Sequence, residues 1–338
     1  MIALQIIQPG EIRVVEIEKP VMQANEVMLR IKYVGFCGSD LNTYRGKNPL
    51  VKLPIIPGHE IGAVIESVGS RVPSHLVPGL SCTVNPYTAC GYCTSCRQNR
   101  PNACRFNQTL GVQRNGAMCE YISLPWEKVI CDDKISPRDF TLVEPMSVGF
   151  HAVARAGVTD TDTVMVIGCG MVGLGAVVRA AVRGANVIAM DVENEKLSLA
   201  TELGARYTIN GKEKDVSEQI EKITKGDGPD VTIEAVGEST TYQLAINETA
   251  FSGRVVCIGY AKQPIAFETK HFVQKELDIR GSRNALPEDF RAVINYFKHA
   301  SFPKDKLISA VYHTWEASKA LDYWMNNSGS VFRILVEF

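Results

Sequence analysis

Four cysteines fall within fifteen residues, Cys90, Cys93, Cys96 and Cys104. They offer four thiolates to one cation, enough to close a tetrahedral zinc shell, and a closed shell is structural rather than catalytic. An iron–sulfur cluster could use the same sulfurs, but nothing else in the chain suggests electron transfer. Unliganded core cysteines at this density would be unusual. Ten cysteines in a 338-residue chain, clustered in this way, read as a metal-binding protein of a reducing compartment. The expected location is therefore the cytoplasm.

A second set is dispersed. Cys37 stands in Gly35-Phe36-Cys37-Gly38-Ser39-Asp40, His59 in Pro57-Gly58-His59-Glu60, and Glu144 in Val143-Glu144-Pro145. One thiolate, one imidazole and one carboxylate, with a fourth position left for water or substrate, would make a catalytic zinc. Spacing alone does not establish it. Cys37 also reads as a small buried hydrophobe, His59 as a turn residue and Glu144 as an acid at a helix start.

A third motif is Gly168-Cys169-Gly170-Met171-Val172-Gly173. Its first glycine permits a tight turn, its second lets backbone approach a pyrophosphate, and its third lets a helix pack closely on a strand. The N–H groups of that helix end would face the phosphates. Asp191 closes the next apolar run, where an acid can bind ribose hydroxyls. Val192 follows it, so no adjacent Arg compensates a 2′-phosphate, and NAD is favoured over NADP.

These groups need elements to hold them. Residues 1 to about 145 read as β-rich, with Val- and Ile-bearing runs at 11–18, 26–34 and 60–68 punctuated by Pro and Gly. From about residue 162 the pattern changes to strand 163–168, a helix to 183, strand 185–191, a helix at 195–203, and strands at 230–235 and 254–258. That alternation implies a doubly wound parallel sheet covered on both faces. Helical segments at 287–298 and 315–326 and a strand at 331–338 form a tail of open allegiance. Lys plus Arg total 36 and Asp plus Glu 37, which leaves no electrostatic footprint for nucleic acid or an anionic membrane. The longest uncharged apolar stretch, 163–178, is 16 residues long and carries four glycines, a poor membrane span. The N-terminus shows no secretory signal pattern.

The Gly-His-Glu segment with its following Gly69 and Val72, the four-cysteine lobe and the central glycine fingerprint come in an order that resembles the zinc-dependent medium-chain dehydrogenases. The resemblance spans essentially the whole chain. It implies a GroES-like catalytic domain at 1–146 with a structural-zinc lobe at about 86–106, a Rossmann NAD-binding domain at 147–285, and a return of 286–338 to the catalytic domain. The active site would lie between the domains. Two zinc ions per chain are implied. Cys37 and His59 match catalytic ligands, Glu60 is an adjacent acid that can approach or bind the metal, and Glu144 falls where alcohol dehydrogenases commonly have cysteine. The Glu144-Pro145 pair resembles sorbitol- and threonine-dehydrogenase-like members. Asp40 matches the acid that orients the histidine, and Ser39 the hydroxyl that bonds the substrate oxygen.

Two departures stand out. Ala63 replaces a glycine usual in the motif, with Gly62 one place earlier, and Asn42 stands where many members have a proton-relaying histidine. The implied chemistry is hydride transfer from a secondary hydroxyl to NAD, with zinc as Lewis acid. The segment around Arg283 resembles that of L-galactonate 5-dehydrogenases, and a guanidinium suits a carboxylate. Arg283 could equally pair with a nearby acid or contact the cofactor. The expectation is an L-gulonate- or L-galactonate-type sugar-acid 5-dehydrogenase, then a polyol or polyol-phosphate enzyme, then an L-threonine enzyme. A dehydrogenase-like regulator without turnover is the reading from another class. The family likeness implies a homodimer or homotetramer.

Overall fold

A computed structural model describes residues 1–300 and 302–338 and divides into two compact units. The first comprises Met1–Glu144 with Leu286–Phe338, the second Pro145–Ala285.

The first unit is built on a seven-stranded sheet whose centre is the long strand Glu26–Phe36. Glu60–Val68 pairs with it antiparallel on one side, and Ile334–Glu337 and Tyr121–Pro125 also pair with it. Beyond Glu60–Val68 lie Ser81–Val84 and then Val129–Cys131. Inward-facing side chains along these strands, Leu29, Ile31, Ile61, Ile65 and Ile334 among them, form one apolar core. Gly62 explains the departure in the Gly-His-Glu motif: a Cβ there would sit 1.7 Å from the Pro137 carbonyl oxygen. Close approach falls on Gly62, while Ala63 fits within the core, fully buried.

In the second unit a six-stranded, all-parallel sheet runs in the order Tyr207–Asn210, Asn186–Asp191, Thr163–Ile167, Val231–Glu234, Arg254–Cys257, Asp278–Gly281. Numbered along the chain this is 3-2-1-4-5-6, the dinucleotide-binding order, with its switch point between Thr163–Ile167 and Val231–Glu234. The strands read as short apolar runs because both sheet faces are covered. The GroES-like and Rossmann-like architecture implied by the sequence is thus present. Tyr207–Asn210, Asp278–Gly281 and the helix Val143–Ala156 went unread in the sequence, the two strands because polar and exposed residues break their pattern. No helix among the described residues is long and apolar enough to cross a membrane.

Candidate active site

Cys37 ends the central strand and caps the helix Gly38–Tyr44. The buried Asp40 carboxylate accepts the Cys37 N–H at 2.8 Å and lies against the Gly58 N–H. His59 follows a loop stitched to the segment 116–118, with Gly116 N–H donating to Ile56 O at 2.6 Å and Ala117 N–H to Gly58 O at 2.9 Å. Gly58 takes φ +100° in that loop, a conformation open to glycine. Glu60 then opens its strand directly opposite Gly35. A Cβ on Gly35 would fall 2.3 Å from Glu60 Oε2, so the glycine leaves the space the carboxylate occupies.

These local structures bring ligand atoms of Cys37, His59 and Glu60 within 4.8 Å of one another. Burial pushes the Cys37 thiol up, but the charge and hydrogen bonding of His59 outweigh it and hold the thiol below its usual value. Burial opposes a charge on His59, yet Cys37 raises that imidazole well above its ordinary pKa. Burial also lifts Glu60 well above the carboxylate range, against the pull of Arg333. His59 Nδ1 and Glu60 Oε1 are buried with no hydrogen-bond partner among the described residues. Buried polar atoms left unpaired are costly, and a thiolate, an imidazole and a carboxylate that converge fit a zinc ion.

Glu144, in the first turn of its helix, stands outside that triplet, and its Oε1 accepts the hydroxyl of Tyr87. No hydrogen bond joins Asp40 to His59 Nδ1; the aspartate instead holds the backbone of the loop and helix that carry the ligands. Ser39 Oγ is buried and without a partner. Asn42 sits half-buried on the same short helix, its carbonyl accepting Lys47 N–H at 2.7 Å.

The ligand atoms of Cys90, Cys93, Cys96 and Cys104 also lie within 4.8 Å of one another. Cys93 Sγ lies 3.5 Å from Cys96 Sγ and 3.8 Å from Cys104 Sγ, and Cys90 Sγ lies 4.0 Å from Cys96 Sγ. A tetrahedron with metal–sulfur bonds of about 2.3 Å has sulfur–sulfur edges of about 3.8 Å, whereas a disulfide needs about 2.05 Å. None of the four forms a disulfide, and the spacing fits zinc. Backbone N–H groups of Cys93, Cys90 and Phe106 donate to these sulfurs at 3.3 Å, which favours thiolates. The Ser95 hydroxyl, 3.2 Å away, leads in pulling the Cys93 thiol to about 5.

The glycine fingerprint lies at the sheet's switch point. Gly168 takes φ +94°, and a Cβ on Gly173 would stand 1.7 Å from Gly168 O, the close helix–strand approach that its position requires. A Cβ on Gly170 would meet nothing within 4 Å. The helix Met171–Val182 begins its hydrogen bonding with Leu174 N–H to Gly170 O at 2.8 Å, so the Met171, Val172 and Gly173 amides are its end donors. Asp191 Oδ2 accepts Cys169 N–H at 2.7 Å and Oδ1 accepts Val192 and Glu193 N–H at 2.8 and 3.0 Å. The acid therefore fixes the fingerprint loop. Arg283 belongs to the second unit, half-buried just beyond the edge strand Asp278–Gly281.

Three residues of these sites went unread in the sequence. Arg333, 4% exposed, places Nε 2.9 Å from Glu60 Oε2, out of hydrogen-bond alignment, and donates from Nη1 to Phe36 O at 2.7 Å. Its signal was a lone charge in the apolar run Val331–Val336. Tyr87 packs edge-to-face on Phe290 and holds Glu144, with no signal in its surrounding sequence. Glu234, fully buried at the switch point, accepts Val236 and Gly237 N–H at 2.9 and 2.8 Å; an acid closing an apolar strand marked it.

Residues 23–132 match the alcohol dehydrogenase GroES-like domain and residues 172–299 the zinc-binding dehydrogenase model. The chain is 32% identical to the L-galactonate-5-dehydrogenase of Escherichia coli (strain K12), over 90% of this chain and 89% of that protein. It is 35% identical to the sorbitol dehydrogenase of Bacillus subtilis (strain 168), over 80% and 78%. An alcohol dehydrogenase from E. coli CFT073, solved with NADH, superposes with a TM-score of 0.91 at 29% identity, covering 100% of this chain and 99% of that one. With two zinc-shaped residue sets and a dinucleotide-binding sheet in place, the chain belongs to the zinc-type medium-chain alcohol dehydrogenases, zinc- and nicotinamide-dependent oxidoreductases of CH–OH groups, among their polyol and sugar-acid members.

Proposed function

We propose that this protein oxidises a secondary hydroxyl of a sugar acid, an L-gulonate- or L-galactonate-type hexonate, giving a keto-uronate with NAD as acceptor. Cys37, His59 and one of the carboxylates Glu60 and Glu144 would hold a zinc ion, which would supply Lewis acidity at the reacting oxygen, while bound NAD would supply the hydride acceptor. Ser39 Oγ, buried and otherwise unpartnered, hydrogen-bonds the reacting hydroxyl and passes on its proton. The Asn42 amide does not titrate and holds no place in that relay. Asp40 fixes the backbone of the two ligand-bearing segments. The Met171, Val172 and Gly173 amides meet the pyrophosphate, and Asp191 receives the ribose hydroxyls and repels a 2′-phosphate.

The observation that carries the substrate class is Arg283, a half-buried guanidinium in a segment that resembles the L-galactonate enzymes. A donor built for a carboxylate penalises a substrate lacking one, and a charge-assisted hydrogen bond is worth roughly 1.5–3 kcal/mol, about ten- to a hundredfold in kcat/KM. NADH absorbance with a panel of aldonates and their alditols reads this directly. Aldonates are expected to lead by that factor, and Arg283→Met to remove most of the lead while residual polyol turnover remains. A neutral polyol oxidised as well as any hexonate moves the assignment to a polyol dehydrogenase, the reading favoured by the sorbitol dehydrogenase relatives. Equal kcat/KM with NAD and NADP would overturn the part that rests on Asp191. Self-association to a homodimer or homotetramer is part of this reading. The edge strand Asp278–Gly281 is largely exposed, with Ile279 open to solvent, and an unpaired strand edge is a template for a second chain.

A further inference from the structure

Cys82 and Cys131 belong to neither zinc set, and no step of the reaction uses them. They face each other across the antiparallel strands Ser81–Val84 and Val129–Cys131. On one side of the pair, Asp132 N–H donates to Ser81 O at 3.3 Å; further along the same ladder, Asn85 N–H donates to Lys128 O at 2.8 Å. Both of these are facing, hydrogen-bonded positions. Such positions alternate along an antiparallel ladder, so Cys82 and Cys131 occupy a non-hydrogen-bonded position, where side chains come closest. Cα atoms of such pairs lie about 4.5 Å apart. That falls inside the range of about 4.4–6.8 Å that a disulfide spans. Both side chains share one sheet face and pack on the same apolar core. Cys82 is fully buried, whereas Cys131 is partly open to solvent, and both are free thiols.

We propose that Cys82 and Cys131 form a metal-independent cross-strand dithiol, a modification site that small-molecule disulfides oxidise to an intramolecular disulfide. The Cys131 sulfur attacks one sulfur of a disulfide R–S–S–R, forming a mixed disulfide and releasing R–S⁻. Cys82 then attacks the Cys131 sulfur of that mixed disulfide, releasing the second R–S⁻. The two thiol protons end on the two departing R–S⁻ groups. The protein loses two protons and two electrons, and the oxidant is reduced to two R–SH. The order follows from access, and it also follows from acidity. Interaction with Cys82 holds the Cys131 thiol below its usual value, while interaction with Cys131 and burial push Cys82 well above. The thiolate is the attacking form.

The test uses the zinc-loaded protein incubated with oxidised glutathione, alkylated, digested without reduction and mapped by mass spectrometry, with zinc measured in parallel. The expected result is one linked pair of peptides carrying Cys82 and Cys131, two hydrogens lighter than their sum, formed with zinc content unchanged and reversed by dithiothreitol. Cys82→Ser is expected to stop at a glutathione adduct on Cys131. Cys131→Ser is expected to leave Cys82 unmodified, and being at the half-exposed position it serves if the buried variant does not fold. Both cysteines recovered fully alkylated, or linkage only in protein that has lost zinc or its circular-dichroism signal, would overturn the proposal.

Discussion

Arg333 and Glu60 are the most consequential pair at the scale of single residues. Their side chains are 5% and 0% exposed, so both charges are removed from water and each depends on the other. Removing one partner of a buried pair leaves the other uncompensated and typically costs about 3–5 kcal/mol. Arg333→Met is therefore expected to lower the unfolding free energy by about that amount, measured by urea denaturation. Glu60→Gln in the same chain should recover most of the loss, because it removes the stranded charge. An Arg333→Met protein with an unchanged midpoint would show that the pair contributes nothing net. Residue-scale legibility divides along the same line. The four-cysteine set was readable from its spacing, whereas Cys37 and His59 rested on family likeness. Arg333 and Tyr87 were not readable, since they meet Glu60 and Glu144 only through pairings far apart in the chain.

At the scale of the element, the fingerprint turn separates two uses of glycine. Gly173 is required by packing, because an added Cβ would overlap backbone of Gly168, which no side-chain motion relieves. Gly170 faces open space, so its cost falls on the ligand. Gly173→Ala is expected to lower the melting temperature by several degrees, since each kcal/mol shifts it by about 2–4 °C in a domain of this size. Gly170→Ala should melt like the unaltered protein yet raise the KM for NAD about tenfold, the effect of roughly 1.4 kcal/mol of lost phosphate contact. Matching melting curves for both variants would mean that the packing argument fails. The strand, turn and helix around this motif were legible because a short apolar run ends at a cluster of glycines and an apolar helical stretch follows. The edge strand Asp278–Gly281 was not, because its half-exposed residues follow no such period.

For the molecule as a whole, the metal sets should behave independently, one lining the ligand-bearing loops and one closing a separate lobe. Metal analysis of fully loaded protein is expected to give two zinc ions per chain. His59→Ala should retain one of them and a near-native melting curve while losing turnover. Cys93→Ser should lose stability, because structural metal binding is coupled to folding. Fewer than two tightly held ions in the unaltered protein would remove the two-site reading. The two-unit organisation was partly legible. The change from β-rich to alternating strands and helices marked one boundary. The allegiance of 286–338 was carried only by family likeness, because pairing of Ile334 with Phe36 leaves no local trace in either segment.

The first unit is interrupted: its central strand Glu26–Phe36 is flanked by Ile334–Glu337, and all of Pro145–Ala285 is synthesised between them. During translation the second unit, continuous in sequence, can mature while the first still lacks a strand beside its ligand-bearing one. Until Arg333 emerges, Glu60 lacks its guanidinium neighbour and Phe36 O its guanidinium donor. A ribosome that stalls after residue 300 therefore releases a chain with a finished nucleotide-binding sheet and an open seam beside its metal pocket. The unpaired strand edge of such a product exposes it to quality control. The order of synthesis thus places completion of the ligand-bearing sheet after that of the nucleotide-binding sheet.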